Sequence, residues 1–103
     1  MQCANRTDRR SELTATDVHV EAFKALAHLT RLQAFFFLVR AEREVPVGEI
    51  QEALGVPGPT LSHHLDLLCR AGLVRRRREQ RRIFCSVERD FVTDLVRLLT
   101  ACC

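Results

Sequence analysis

The punctuation between Leu54 and Arg82 constrains this chain more than any other stretch. Gly55 stops one short apolar segment, Pro57-Gly58-Pro59 turns the chain, and Gly72 closes the run that follows. Glycine just past a segment and proline at its start are helix stop and start signals. Between them Leu61, Leu65 and Leu68 recur on one helical face. The sequence therefore predicts a helix over about Thr60 to Ala71, joined tightly to a shorter one over Glu49 to Leu54 that faces inward through Ile50 and Leu54. Leu73-Val74 then opens an extended segment carrying Arg75, Arg76, Arg77, Arg78, Arg81 and Arg82, with Glu79 the only acid among them. Arg82 to Val87 alternates with a period of two, which suits the return strand of a hairpin turning at Glu79-Gln80. The fold class expected is α+β: a mostly helical winged helix-turn-helix with a two-stranded β-wing.

A helix with a small polar face beside a cationic ribbon suits a DNA major groove flanked by phosphates. The outer arc of the second helix, Thr60, Ser62, His63, Asp66, Leu67 and Arg70, is the expected reading face. The net charge of 103 residues is only +3, so the clustering of the positive charge is more telling than its sum. Arginine supplies nearly all of it, and its planar fork pairs bidentately with phosphate or guanine. An arginine run in isolation is equally a solvated surface, but beside a helix-turn-helix it points to double-stranded DNA. The rival from another class is a winged-helix module that docks a protein through its wing.

Residues 1–13 read as a flexible N-terminal arm and 14–103 as one DNA-binding and dimerisation domain. A first helix is expected from about Thr16 to His28, burying Val20, Phe23, Leu26 and Ala27. Thr30 and Gln33 have capping-box spacing and mark the start of a second, whose Leu32, Phe35, Phe36 and Val39 form a core stripe that Phe37 and Leu38 widen, as in a helix covered on several sides. Val45-Pro46-Val47 is extended, because proline disfavours helix before it. Asp90 to Ala101 forms the last helix. Its apolar stripe of Phe91, Val92, Leu95, Leu98 and Leu99 is wider than a small monomer easily covers, which suits the seam of a homodimer.

The polar first ten residues lack a secretory pattern, and Leu32 to Val39 is too short to span a bilayer. A cytoplasmic protein with no membrane partner is expected, with its five cysteines reduced. No nucleophile–base pair, glycine-rich phosphate loop or paired-carboxylate motif stands out, so an enzyme is not expected. His64 reads as a structural hydrogen-bonding group, and His63 as a phosphate contact or an exposed side chain. His19 and His28 are too far apart to share a helical face as a zinc pair.

The order of elements, and the stretch LGVPGPTLSHHLDLLCRAGLVRRRREQRRIF, resemble the ArsR/SmtB family of metal- and metalloid-responsive winged-helix repressors. Ser62-His63-His64-Leu65 matches the family's S-x-H-L, and Ala71-Gly72-Leu73-Val74 its a-G-L-V. Leu26-Ala27-His28-Leu29-Thr30-Arg31 looks like the segment leading into its second helix, so the resemblance covers about Val18 to Ala101. It implies a homodimer on an inverted-repeat operator that leaves when ligand binds. Thr60, Ser62 and His63 would then face DNA, with the wing arginines on flanking phosphates. Pro57 and Gly58 stand where many members have serine and glutamine, so a side-chain cap and one base contact are missing.

The family's C-x-C arsenite site would fall at Val47-Gly48-Glu49-Ile50, which has no thiol, and the last helix has no histidine for a zinc site. Cys102-Cys103 remain, directly after that helix. Soft thiolates select soft ions, so a trivalent arsenic species is the expected inducer, with no permanent cofactor. Two sulfurs satisfy a monoalkyl arsenic; arsenite would want a third, from Cys85 or Cys3. Cys85 alternates with Ile83 and Val87 and is equally a small buried hydrophobe, Cys3 equally a tail residue, and Cys69 a packing residue. A thiol redox sensor using Cys102, Cys103 or Cys85 is the alternative within the regulator class.

Overall fold

A computed structural model describes residues 14–101. Five helices surround a small antiparallel sheet: α1 (Asp17–Leu26), α2 (Leu29–Ala41), β1 (Val45–Pro46), α3 (Val47–Leu54), α4 (Gly58–Arg70), β2 (Val74–Glu79), β3 (Arg82–Val87) and α5 (Arg89–Thr100). The expected winged helix-turn-helix is present, with one addition. The sheet has three strands in the order β1-β3-β2, because Val45 pairs with Cys85 and Pro46 with Phe84. Proline is tolerated there because β1 lies at the sheet edge. The hairpin pairs Glu79 with Arg82, so its turn is Gln80-Arg81, one residue later than expected, with Gln80 left-handed at φ +57°.

The core is where α2, α3, α4 and the sheet converge. Ala34, Phe35 and Leu38 of α2 meet Ile50 of α3, Leu61, Leu65 and Leu68 of α4, and Val45, Leu73, Val74 and Cys85 from the sheet and its approach. The leucine face of α4 is thus buried as its spacing predicted. On α2, Phe35 and Leu38 are buried as expected, but Phe36 is half out of the fold, and Leu32, Phe37 and Val39 are only partly covered. Apolar residues ring this helix, so periodicity alone does not select its inner face. On α1, Ala22 is the fully buried residue, Phe23 and Leu26 are partly buried, and Val20 and Ala27 face outward.

Two helix starts use histidine. His19 Nδ1 accepts the Thr16 amide at 2.9 Å, closing the first turn of α1. His28 caps α2, its Nδ1 accepting the Thr30 amide at 3.2 Å, so α2 begins before the Thr30–Gln33 box. Gly55 ends α3 in the left-handed region at φ +66°, and Gly72 does so between α4 and β2 at φ +82°. Pro57 precedes α4 and Pro59 sits in its first turn, where a missing amide hydrogen costs nothing. That placement lets α4 start at Gly58 rather than Thr60. No single helix among the described residues is long and apolar enough to cross a membrane; α1 and α2 are bent by 100° from one another.

Candidate nucleic-acid interface

With Leu61, Leu65 and Leu68 turned inward, helical geometry turns the other arc of α4 outward. Thr60, Ser62, His63 and Arg70 are all exposed, as the sequence placed them. Asp66 and Leu67 are half-buried, so they flank the arc rather than belong to it. Beside the helix, β2 is exposed from Arg75 to Glu79. The reading helix and the cationic hairpin are therefore neighbours, joined along the chain by Ala71-Gly72-Leu73.

Ion pairing divides the arginines. Asp66 Oδ1 accepts from Arg76 at 2.9 Å and its Oδ2 pairs with Arg70 Nε at 3.0 Å, tying α4 to the base of the wing. Arg75 pairs with Glu88 at 3.2 Å. Arg77 donates twice to Glu44, at 2.8 and 2.9 Å, and once to Glu79 at 2.8 Å. Its guanidinium also lies 4.8 Å from the Phe84 ring centre. The hydrogen bonds from Arg77 hold the Glu44 carboxyl below its ordinary value. Arg78, Arg81 and Arg82 have no carboxylate partner among the described residues. Sequence reasoning treated all the wing arginines alike and missed Asp66, Glu44 and Glu88 as their partners. Asp66 and Arg70 have the legible i,i+4 spacing, whereas Glu44 lies 33 residues from Arg77.

Behind the reading arc lies His64, at 7% exposure the one buried charged or polar side chain among the described residues. Its Nδ1 accepts from Arg31 at 3.3 Å, the structural hydrogen bond expected of it, and its ring packs 4.6 Å from that of His28. Burial lowers its pKa below the ordinary imidazole value, helped by the charges of His28, Arg31 and His63. The ring is a neutral joint between α2 and α4.

Among the described residues no group of three or more His, Cys, Asp or Glu is placed to hold a metal ion. Cys85 is fully buried, opposite Arg76 in the sheet, and burial pushes its thiol up to about 11. Cys69 is half-buried and its thiol is also raised by burial. Cys85 belongs to the hydrophobic core and Cys69 packs against it. Cys3, Cys102 and Cys103, like the arm of residues 1–13, lie outside the described residues.

An exposed polar helix across a tight turn from its support, flanked by a cationic hairpin, defines the class: a winged helix-turn-helix DNA-binding protein. A family model described as a helix-turn-helix domain matches residues 26–77. The HTH-type transcriptional regulator KmtR of Mycobacterium tuberculosis is 44% identical over 77 residues, 75% of this chain and 58% of its own length. A "Probable mercury resistance operon repressor" of Streptomyces lividans is 38% identical over 85 residues, 82% of this chain and 66% of that one. The chain thus spans less than two thirds of either relative. Among solved structures, the homodimeric winged helix-turn-helix DNA-binding domain (fragment 1-100) of Mb0332 from Mycobacterium bovis, a possible ArsR-family transcriptional regulator, is 34% identical with a TM-score of 0.69, covering 93% of this chain and 85% of that one. This chain belongs to the ArsR-type family of winged-helix transcriptional regulators, and its relatives are regulators rather than enzymes.

Proposed function

We propose that this protein is a metalloid-responsive transcriptional repressor, binding an inverted-repeat operator as a homodimer and leaving it when a trivalent arsenical binds Cys102 and Cys103. The observation that carries the DNA-binding half is the exposed arc of Thr60, Ser62 and His63 on α4 beside an arginine-rich wing. Support for the dimer comes from large apolar side chains left exposed on α1 and α5, Val18, Val20, Val96 and Leu99, and from the homodimeric Mb0332 domain. Support for the inducer is chemical: two neighbouring thiols follow the helix that would form the seam, and one relative is named a probable mercury resistance operon repressor, mercury being another thiophile.

A monoalkyl arsenic(III) dihydroxide would exchange its two As–OH bonds for two As–S bonds. The thiol protons leave with the hydroxyls as two waters, and the oxidation state is unchanged. Release from DNA is then linkage: the ligand favours a dimer geometry in which the two α4 helices no longer match successive major grooves. A coupling of about 1–3 kcal/mol is the usual scale of such an effect.

The test is operator binding titrated in parallel with methylarsenite, arsenite, zinc and hydrogen peroxide. Methylarsenite should release the wild-type protein, while Cys102→Ser and Cys103→Ser should bind DNA normally and ignore it. A serine variant that still responds removes the sensor assignment. Release by peroxide, reversed by a reductant and without response to arsenicals, replaces it with thiol redox sensing.

A further inference from the structure

We propose that the wing is divided into a braced base and a free tip: Arg78, Arg81 and Arg82 engage the phosphodiester backbone of DNA, and Arg75, Arg76 and Arg77 position the hairpin. The inference rests on the DNA-binding reading above and refines it, since the sequence alone gave all six arginines the same task. At the base each guanidinium already faces a carboxylate: Arg75 faces Glu88, Arg76 faces Asp66, and Arg77 faces both Glu44 and Glu79. To reach a phosphate, such an arginine exchanges one anion for another and leaves a bare carboxylate beside the DNA. Its net contribution to phosphate neutralisation is therefore small.

The tip differs in both charge and direction. Arg78 donates only to the Gln80 carbonyl, at 3.4 Å, and Arg82 lies over the Phe84 ring at 5.2 Å from its centre. Register then fans the cations apart. Arg78 pairs with Ile83 and Arg82 with Glu79. Partnered residues share a face of a sheet and successive residues alternate, so Arg78 and Arg82 sit on opposite faces, with Arg81 in the turn between them. A narrow hairpin end with cations on both faces suits a DNA groove, whose two walls are both rows of phosphates.

Glu79 is the one acid at this tip. Arg77 Nη1 holds it at 2.8 Å while the rest of the same guanidinium is clamped by Glu44. Arg77 thus screens the carboxylate that would otherwise face the phosphates, and Phe84 supports Arg77 and Arg82 together. Glu44 and Asp66 act at one remove, by fixing the hairpin against the remainder of the fold.

The test is the salt dependence of binding to a mixed-sequence duplex of about 30 base pairs, three helical turns, measured by fluorescence anisotropy on the full chain. Each phosphate contact contributes about 0.9 to the slope of log K against log salt, so Arg78→Ala/Arg81→Ala/Arg82→Ala should flatten it by about five when a dimer presents two wings. Arg75→Gln/Glu88→Gln removes a base arginine with its partner, keeps the net charge, and should leave the slope unchanged. The four arginines are exposed and Glu88 is half-buried, and circular dichroism checks that both variants fold. The division is overturned if the tip variant keeps the wild-type slope, or if the charge-balanced pair flattens it as much per arginine. A wild-type chain that binds no duplex at low salt overturns the DNA-binding reading as well, an outcome distinct from either.

Discussion

Replacing Val96 and Leu99 by serine should break the proposed dimer while leaving each protomer folded. The two side chains lie one helical turn apart on α5 and are 53% and 61% exposed. Fully burying a valine or leucine contributes about 1.5–3 kcal/mol, so covering the half that each still exposes contributes about 1 kcal/mol. A two-fold interface counts each residue twice, giving about 4 kcal/mol for the pair, and with about 1.4 kcal/mol per factor of ten the dissociation constant rises about a thousandfold. Sedimentation equilibrium over a wide concentration range measures this directly. Far-UV circular dichroism should remain that of the wild type, since neither residue belongs to the core. Loss of the dimer should also make DNA binding depend more steeply on protein concentration. A double variant whose dimer constant stays within tenfold of wild type would refute the assignment of this face to the seam.

Three other perturbations test the scaffold. Because the folded state holds the His64 ring below the ordinary imidazole value of about 6.5, the unfolded chain takes up its proton first; stability is complete above that pH and falls as pH drops through the depressed value. Thermal melts from about pH 7.5 to 5 should show this loss, and His64→Gln, which keeps an acceptor for Arg31, should flatten it; identical pH profiles would discard the idea. Gly72→Ala places a side chain at φ +82° and should cost about 1–2 kcal/mol, whereas Gly48→Ala, in a helix with nothing within 4 Å of the added methyl, should stabilise by up to about 1 kcal/mol. Melting temperatures moving the same way for both would contradict the backbone reading. Leu68→Ala empties part of a fully buried site and should cost about 2–5 kcal/mol by urea denaturation; a value under 1 would mean that α4 is not anchored there.

The second half of the chain was far more legible than the first. In α4 the proline and glycine signals, three leucines at helical spacing and a polar remainder all agree, so element, inner face and outer arc follow from sequence. In α2 the run from Leu32 to Val39 is apolar on every side, and what selects Ala34, Phe35 and Leu38 is contact with α3, α4 and the sheet. Phe36 was therefore turned the wrong way. The third strand was visible only as extended chain, because Val45 finds its partner at Cys85, forty residues on, with no local signal of the pairing. A separation of 33 residues likewise hid Glu44 behind Arg77. Composition announces an arginine cluster; only tertiary pairing tells which of its charges remain free.

That pairing also joins the proposed seam to the reading helix. Asp94 of α5 bonds His19 of α1 at 3.0 Å; with His19 Nδ1 occupied as an acceptor by the Thr16 amide, the ring proton sits on Nε2 and is donated to the carboxylate. Near the far end of α1, the Ala25 carbonyl accepts from Arg31 Nε of α2 at 2.7 Å, and the same guanidinium donates to His64 of α4 at 3.3 Å. The helices that would carry the dimer face thus hold the reading helix through polar contacts, one of them at a buried ring. A hydrogen bond to a charged group contributes about 1.5–3 kcal/mol, the same size as the coupling that the proposed release by ligand would require. In the proposed release, a shift of α5 against α1 would remake one or two such bonds and leave the leucine face of α4 packed.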